Sequence, residues 1–154
     1  MKKLLLVFIL AFLLVGCTSA PEKNTSPEII EVEISMPEKV SENESVTIQT
    51  HVTQGEENVE DAKEVKFEIW NVEEGKEEST LLDAVHTSDG QYVADHSFRE
   101  KGVYRVQSHV TARDLHVMPT KQIVVGELSE EDIQAILEKE KVNKEEENSE
   151  HDHH

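Results

Sequence analysis

Short runs of alternating apolar and polar residues occupy the middle of the chain, residues 28–126, and this period of two predicts antiparallel β-strands. Asp89-Gly90 is the strongest hairpin signal, because both residues suit a two-residue type I′ turn. The predicted strands cover residues 30–34, 46–52, 65–70, 81–87, 92–98, 104–110 and 122–125. About seven strands in this length predict an all-β fold, an immunoglobulin-like two-sheet antiparallel sandwich rather than a barrel.

Bulky aromatic residues are expected to fill the core of this sandwich rather than to bind a ligand. They are Trp70, Tyr92, Phe98 and Tyr104. If Asp89-Gly90 is a two-residue loop, counting outward from it places His96 opposite Asp83 on the inward face. The pattern therefore predicts a half-buried histidine held by one carboxylate, with a metal-ligand role as the alternative.

The pattern changes after Gly126, where Ser129 and Asp132 form a weak capping box. Apolar residues then recur at helical spacing, at positions 133, 136 and 137. Glu and Lys dominate the rest of the chain. Residues 127–154 are therefore expected to form a short acidic helix and a His-containing tail, with the last dozen residues disordered.

The start of the chain has the pattern of an export signal. Two lysines precede an apolar run over residues 4–15, which is too short to cross a bilayer comfortably. Leu14-Val15-Gly16-Cys17 resembles a bacterial lipobox. We therefore expect residues 1–16 to be a signal peptide, Cys17 to carry the lipid, and residues 17–27 to form a flexible tether. An ordinary secretory peptide that ends in cysteine is the alternative.

Charge and cysteine usage restrict the classes of partner. Cys17 is the only cysteine, so no intramolecular disulfide supports the fold. Removing Lys2 and Lys3 with the signal leaves 13 of the 15 basic residues against 33 acidic ones, a formal net charge of −20. This charge excludes nucleic acid as a partner, favours cations and keeps the domain away from anionic lipid. No nucleophile or phosphate-binding motif is present, so we expect no enzymatic activity.

Histidine is the unusual component, with five in the β region. His116 and Met118 are two residues apart in a predicted strand and point to the same face. Imidazole and thioether together suit cuprous copper, and His109 is the best-placed third ligand. His51 and His109 are expected to point outward. The terminal residues 151–154 form either a chelating tract or simply a polar, flexible end.

Several of these positions carry a resemblance to a known family. They are Gly90-Gln-Tyr92-Val-Ala94, Phe98, Gly102-Val-Tyr104-Arg-Val106-Gln-Ser-His109-Val110 and His116-Val-Met118. In them the chain resembles the YtkA-like (FixH-related) domain of Firmicute lipoproteins, over residues 30–126. The resemblance implies an immunoglobulin-like fold at the outer face of the cell membrane, and an association with copper delivery to respiratory oxidases or with their assembly. The chain differs from membrane-spanning relatives, which have a transmembrane helix, and lacks a second His/Met pair upstream of His116.

Two functions are consistent with these observations. The first is a non-catalytic, lipid-anchored extracytoplasmic domain that sequesters or delivers copper through His109, His116 and Met118. The alternative is a protein-interaction or assembly module of a membrane complex, with no metal. Convergence of the three side chains on a common point would favour copper, and scattered side chains would favour interaction.

Overall fold

The computed structural model describes the backbone of residues 28–150 and the side chains of residues 28–145. The predicted signal peptide, Cys17, the tether and the terminal histidine tract lie outside the described residues. The strands are β1 (Ile30–Ser35), β2 (Lys39–Val40), β3 (Ser45–Gln54), β4 (Glu57–Asn58), β5 (Glu64–Asn71), β6 (Thr80–Asp83), β7 (Val85–His86), β8 (Gln91–Ser97), β9 (Gly102–Ala112), β10 (Leu115–Val117) and β11 (Thr120–Val125). A 3₁₀ turn (Lys76–Glu78) follows β5, and helix α1 (Glu130–Glu150) follows β11.

The strands form two sheets that face each other. Sheet A has the order β1-β3-β8-β7, with β4 beside β3, and sheet B has the order β2-β11-β9-β5-β6, with β10 beside β9. All pairings are antiparallel except the parallel pairing of β2 with β11. The predicted immunoglobulin-like sandwich is confirmed. Each of the seven predicted runs contains a strand, and the additional strands have two or three residues.

The core lies between the sheets, and its two clusters of buried apolar side chains contain no residue of the helix. Inward residues of β9 alternate strictly with outward ones, so that Val106, Ser108, Val110 and Ala112 are buried. Two clusters of buried apolar side chains fill the interior, and every member lies between residues 30 and 125. The sandwich therefore supplies its own hydrophobic core.

Two tyrosines anchor connections between strands. The hydroxyl of Tyr104, near the start of β9, donates to the backbone oxygen of Glu100 at 3.0 Å. This is the tyrosine corner typical of immunoglobulin-like sandwiches. The hydroxyl of Tyr92 donates to the backbone oxygen of Val59 at 2.9 Å and accepts from the backbone N–H of Ala62 at 3.1 Å. The buried ring of Tyr92 thus holds the segment between β4 and β5 against the core.

The inward orientation predicted for Trp70 is wrong. On β5 the buried positions are Val65, Phe67 and Ile69, so Trp70 alternates to the outer face of sheet B and is only part-buried. Tyr92 and Phe98 are buried as predicted, and Tyr104 packs against the core. The strand's own period of two determines the direction of Trp70, against the general tendency of tryptophan to be buried.

The predicted pairing of His96 with Asp83 is also wrong. The run at residues 81–87 changes sheet at Ala84, so β6 pairs with β5 while β7 pairs with β8. Asp83 therefore lies opposite Lys66, in the other sheet from His96.

The hairpin after β7 has a different register from the predicted one. Asp89 and Gly90 have the expected positive φ angles of 52° and 69°, but Thr87 N–H donates to the oxygen of Gln91 at 2.9 Å, which makes the loop one residue longer. His96 is half-buried, as expected, with its ring edge-on to Phe98 at 4.7 Å between centroids. Burial lowers the pKa of His96 below its usual value of 6.5.

Helix α1 begins at the predicted capping box. The backbone N–H of Asp132 donates to Oγ of Ser129 at 3.1 Å, and the backbone N–H of Ser129 donates to Oδ2 of Asp132 at 3.2 Å. Ile136 is buried, as the apolar spacing predicts. The helix is longer than expected: residues 143–150 are helical rather than disordered. Glu and Lys are good helix formers, and Glu140 forms an i,i+4 ion pair with Lys144.

Candidate functional site

The outer face of sheet B carries the predicted ligands. Because the even-numbered residues of β9 fill the core, its odd-numbered residues, His109 among them, point outward. His116 in β10 lies opposite Thr111, another outward residue of β9. The outward direction predicted for His109 is therefore confirmed.

The position of Met118 follows from the same strand pairing. Thr111 pairs with His116 and Gln107 pairs with Thr120, so one antiparallel register runs through both β10 and β11. The backbone N–H of Ser108 donates to the oxygen of Pro119 at 2.9 Å within this register. Met118 consequently stands directly across from His109.

The three residues occupy neighbouring positions on one surface. The ring centroids of His109 and His116 are 5.9 Å apart, with the ring planes at 33°. His116 is exposed, and 47% of Met118 is exposed. By register, His116 is diagonal to His109, and Met118 lies on the same face of the sheet as both.

Glu68 is part of this surface and was missed by the sequence analysis. Its Oε2 atom lies 2.8 Å from Nε2 of His109 and 3.0 Å from Nζ of Lys76, and its Oε1 accepts from the Ser79 hydroxyl at 2.8 Å. Burial raises the pKa of Glu68, but the hydrogen bonds from Lys76, His109 and Ser79 outweigh burial and hold the pKa below its usual value. Because an ionised carboxylate only accepts, Nε2–H of His109 donates to it, and in the neutral form of that ring the lone pair is then on Nδ1.

The donor set determines which metals this surface fits. Among the described side chains, residues 28–145, no three of His, Cys, Asp or Glu are grouped so as to hold a metal ion. A site made only of the ligands that zinc prefers is therefore missing from this part of the chain. Two imidazoles and a thioether are the candidate donors on this surface, and thioether sulfur is a ligand type that suits cuprous copper.

The other histidines of the β domain are dispersed. His51 points outward, as predicted, and its Nε2 lies 3.0 Å from Oδ1 of Asn58. His86 lies beside Tyr92 with 4.9 Å between ring centroids, and His96 contacts Phe98. Each of the three thus packs with a different neighbour, away from His109.

Two facing sheets and a tyrosine corner define an immunoglobulin-like domain. The chain belongs to the YtkA-like family, whose model matches residues 25–109. This confirms the resemblance to the YtkA-like family, over residues 25–109 rather than the expected 30–126. The match ends at His109, so His116 and Met118 lie beyond it. No curated protein matches the sequence significantly.

One of the solved structures that resemble this chain exceeds a TM-score of 0.5 and agrees on the fold. An engineered protein superposes with a TM-score of 0.53 at 16% sequence identity, over 66% of this chain and 21% of its own. The chain thus spans about a fifth of that protein's length. A superoxide reductase (neelaredoxin) from Ignicoccus hospitalis has a TM-score of 0.44 at 18% identity, over 61% of this chain and 79% of its own. A CARDB domain from Pyrococcus furiosus, solved in complex with di-metal ions, has a TM-score of 0.41 at 15% identity, over 64% of this chain and 88% of its own.

Within residues 28–150, the structure contains no helix with the length and apolar character needed to cross a bilayer.

Proposed function

We propose that the protein is a non-catalytic, lipid-anchored extracytoplasmic domain that binds cuprous copper through His109, His116 and Met118, and sequesters it or delivers it to a membrane oxidase. The proximity of the His109 and His116 rings, 5.9 Å between centroids, is the observation that supports it most directly. Met118 adds a soft sulfur donor from the position across from His109.

The exposure of the site suits a protein that passes its metal on. His116 and Met118 are exposed at the sheet surface, so a partner's ligands can approach the same ion. His109 is the more fixed member, because Glu68 accepts a hydrogen bond from its ring. A carboxylate behind a histidine fixes the tautomer and the ring orientation, which is the usual second-shell role of such a group.

The test is a cuprous-ion affinity measurement on the mature chain. Cys17→Ser removes the thiol, and His151, His153 and His154 are each changed to Asn so that the terminal tract cannot chelate. A competition titration against a colorimetric Cu(I) chelator at neutral pH then compares this protein with Met118→Leu and with His116→Asn. We expect each change to weaken binding about tenfold or more, while Zn(II) binding responds little to Met118→Leu.

His51→Asn is the matched control, since His51 also points outward but lies in sheet A. Its cuprous affinity should equal that of the parent. If all three variants bind Cu(I) equally well, or if the parent does not bind it, the copper function is wrong and an interaction module without metal becomes the better explanation.

A further inference from the structure

A second feature of sheet B is a cavity of about 780 Å³ above Trp70. Its floor is formed by Trp70, Arg105, Gln107 and Thr120, all on the outer face of the sheet. The loop at residues 73–77 forms one wall, and helix α1 contributes the other through Glu140, Asn143 and Lys144. The volume is in the range of small-molecule sites.

An ammonium group already occupies part of this cavity. Nζ of Lys76 lies 5.1 Å from the centroid of the Trp70 ring, donates to Oε1 of Gln107 at 2.7 Å and is 3.0 Å from Oε2 of Glu68. An aromatic face, a carboxylate and an amide oxygen are together what a primary ammonium needs, since it offers a positive charge and three N–H donors. The chain's own lysine thus shows which chemical group this place recognises.

The contact made by Lys76 is readily reversible. Lys76 belongs to a three-residue 3₁₀ turn with no buried residue, and half of its side chain is exposed. The preceding Gly75 has φ of 88°, and no atom lies within 4 Å of where its Cβ would be. The ammonium of Lys76 is half-exposed although the Glu68 side chain is only 13% exposed, so a ligand with the same head group can reach this place from solvent and compete with Lys76.

The charges around the cavity favour a cation. Both of its other basic groups are neutralised by one residue, since Glu140 pairs with Arg105 at 2.6 Å and with Lys144 at 2.7 Å. On the opposite wall, Glu73, Glu74 and Glu77 have no ion-pair partner among residues 28–145. These three carboxylates could accept a second ammonium group.

We propose that this cavity binds an aliphatic primary diamine or polyamine, with one ammonium replacing that of Lys76 over Trp70 and the second held by the carboxylates of residues 73–77. The cavity adjoins the surface of His109, His116 and Met118, because Glu68 contacts both Lys76 and His109, but none of the three proposed copper ligands lines the cavity. The proposal therefore does not depend on copper binding.

The test uses the fluorescence of Trp70, which is the only tryptophan in the chain. The mature chain with Cys17→Ser is titrated with pentane-1,5-diamine at constant ionic strength, and pentane-1,5-diol is the uncharged control. We expect a saturable change in emission with the diamine and none with the diol. Lys76→Ala should tighten binding about threefold or more, because it removes an internal competitor and so raises the fraction of the protein that is free to bind.

Two further variants separate this site from general attraction of cations to an acidic protein. Lys66→Ala removes a lysine on the same face of sheet B but outside the cavity, and should leave the diamine affinity unchanged. Trp70→Leu, followed by calorimetry, should abolish the saturable heat. The proposal is overturned if neither the parent nor Lys76→Ala binds the diamine, if Lys66→Ala and Lys76→Ala behave alike, or if Trp70→Leu retains full binding.

Discussion

Thr50 and Ser108 form a polar contact between the two sheets, inside a mostly apolar interior. Both side chains are fully buried, and the Thr50 hydroxyl donates to Oγ of Ser108 at 2.9 Å, from sheet A to sheet B. Each hydroxyl is the other's partner. A buried polar group that loses its partner is left with its full desolvation penalty.

The first prediction is that Ser108→Ala destabilises the domain by about 1–3 kcal/mol, because it leaves the buried Thr50 hydroxyl without a hydrogen-bond partner. The double change Thr50→Val with Ser108→Ala should regain most of that loss, since valine nearly reproduces the shape of threonine without a hydroxyl. Urea unfolding of both single variants and the double variant forms the required cycle. Additive effects of the two changes would contradict this account of the pair.

His96 gives the domain a predictable dependence on pH. Burial against Phe98 lowers its pKa in the folded state, so the unfolded chain takes up the proton first as the pH falls. The contribution of His96 to stability is therefore fully present above pH 6.5. It is lost as the pH falls below that value towards the lower folded pKa.

The second prediction is that His96→Gln flattens the loss of stability between pH 7 and pH 5. Urea midpoints measured at intervals across this range should fall less for the variant than for the parent. His51→Gln is the control, because His51 is an outward residue bonded to Asn58, and its pH profile should follow that of the parent. An identical slope for His96→Gln and the parent would show that the half-buried ring does not couple folding to protonation.

At the scale of elements, helix α1 covers part of sheet B without belonging to the core. Val103 alternates to the same outer face as Arg105 yet has no exposed surface, and Ile136 of the helix is 8% exposed. The ion pair between Arg105 and Glu140 joins the same two elements. The helix thus shields apolar surface on the outer face of sheet B, whereas the two core clusters lie between the sheets.

The third prediction is that residues 28–126 alone still unfold in one cooperative transition, at a lower temperature. Losing the cover of Val103 and Ile136 should cost roughly 2 kcal/mol, which corresponds to roughly 10 °C in a domain of this size. Ile136→Ala in the full chain should reproduce part of this shift. Calorimetry of both proteins is the measurement, and a broad, uncooperative transition for residues 28–126 would mean that the helix completes the core.

At the scale of the whole molecule, the proposed function requires attachment at Cys17. The signal-like run ends at Leu14-Val15-Gly16-Cys17, and the one thiol of the chain has no disulfide partner within it. Two acyl chains give durable attachment, whereas a single chain gives only marginal binding.

The fourth prediction is that Cys17→Ala releases the protein from the membrane fraction or leaves it unprocessed. Fractionation of cells, with mass analysis of the N-terminus, measures both outcomes. Cys17→Ala protein that remains membrane-bound and correctly cleaved would place the anchor elsewhere. Ser19→Ala is a matched control with a change just beyond the predicted cleavage point, and it should behave as the parent.

The local pattern of the sequence was sufficient to predict the main secondary-structure elements and the direction of most side chains in them. Alternation along β9 predicted that His109 points outward, and the Ser129 and Asp132 pair predicted where helix α1 begins. Trp70 was predictable in the same way, because its neighbours Val65, Phe67 and Ile69 are inward. The alternation along β5 indicated the outer face for Trp70, but the general tendency of tryptophan to be buried led to the wrong prediction.

Only the tertiary structure decided which elements meet. Glu68 lies beside His109 because β5 pairs with β9, across some 40 residues of chain that no local pattern connects. The change of sheet at Ala84 and the extra residue in the Asp89-Gly90 loop moved His96 away from Asp83. A period of two determines the face to which a side chain points, whereas register and strand partners depend on long-range pairing and on turn geometry. For that reason the sequence alone determined that His109 points outward and that His116 and Met118 share a face. The fold decided that all three lie on one surface.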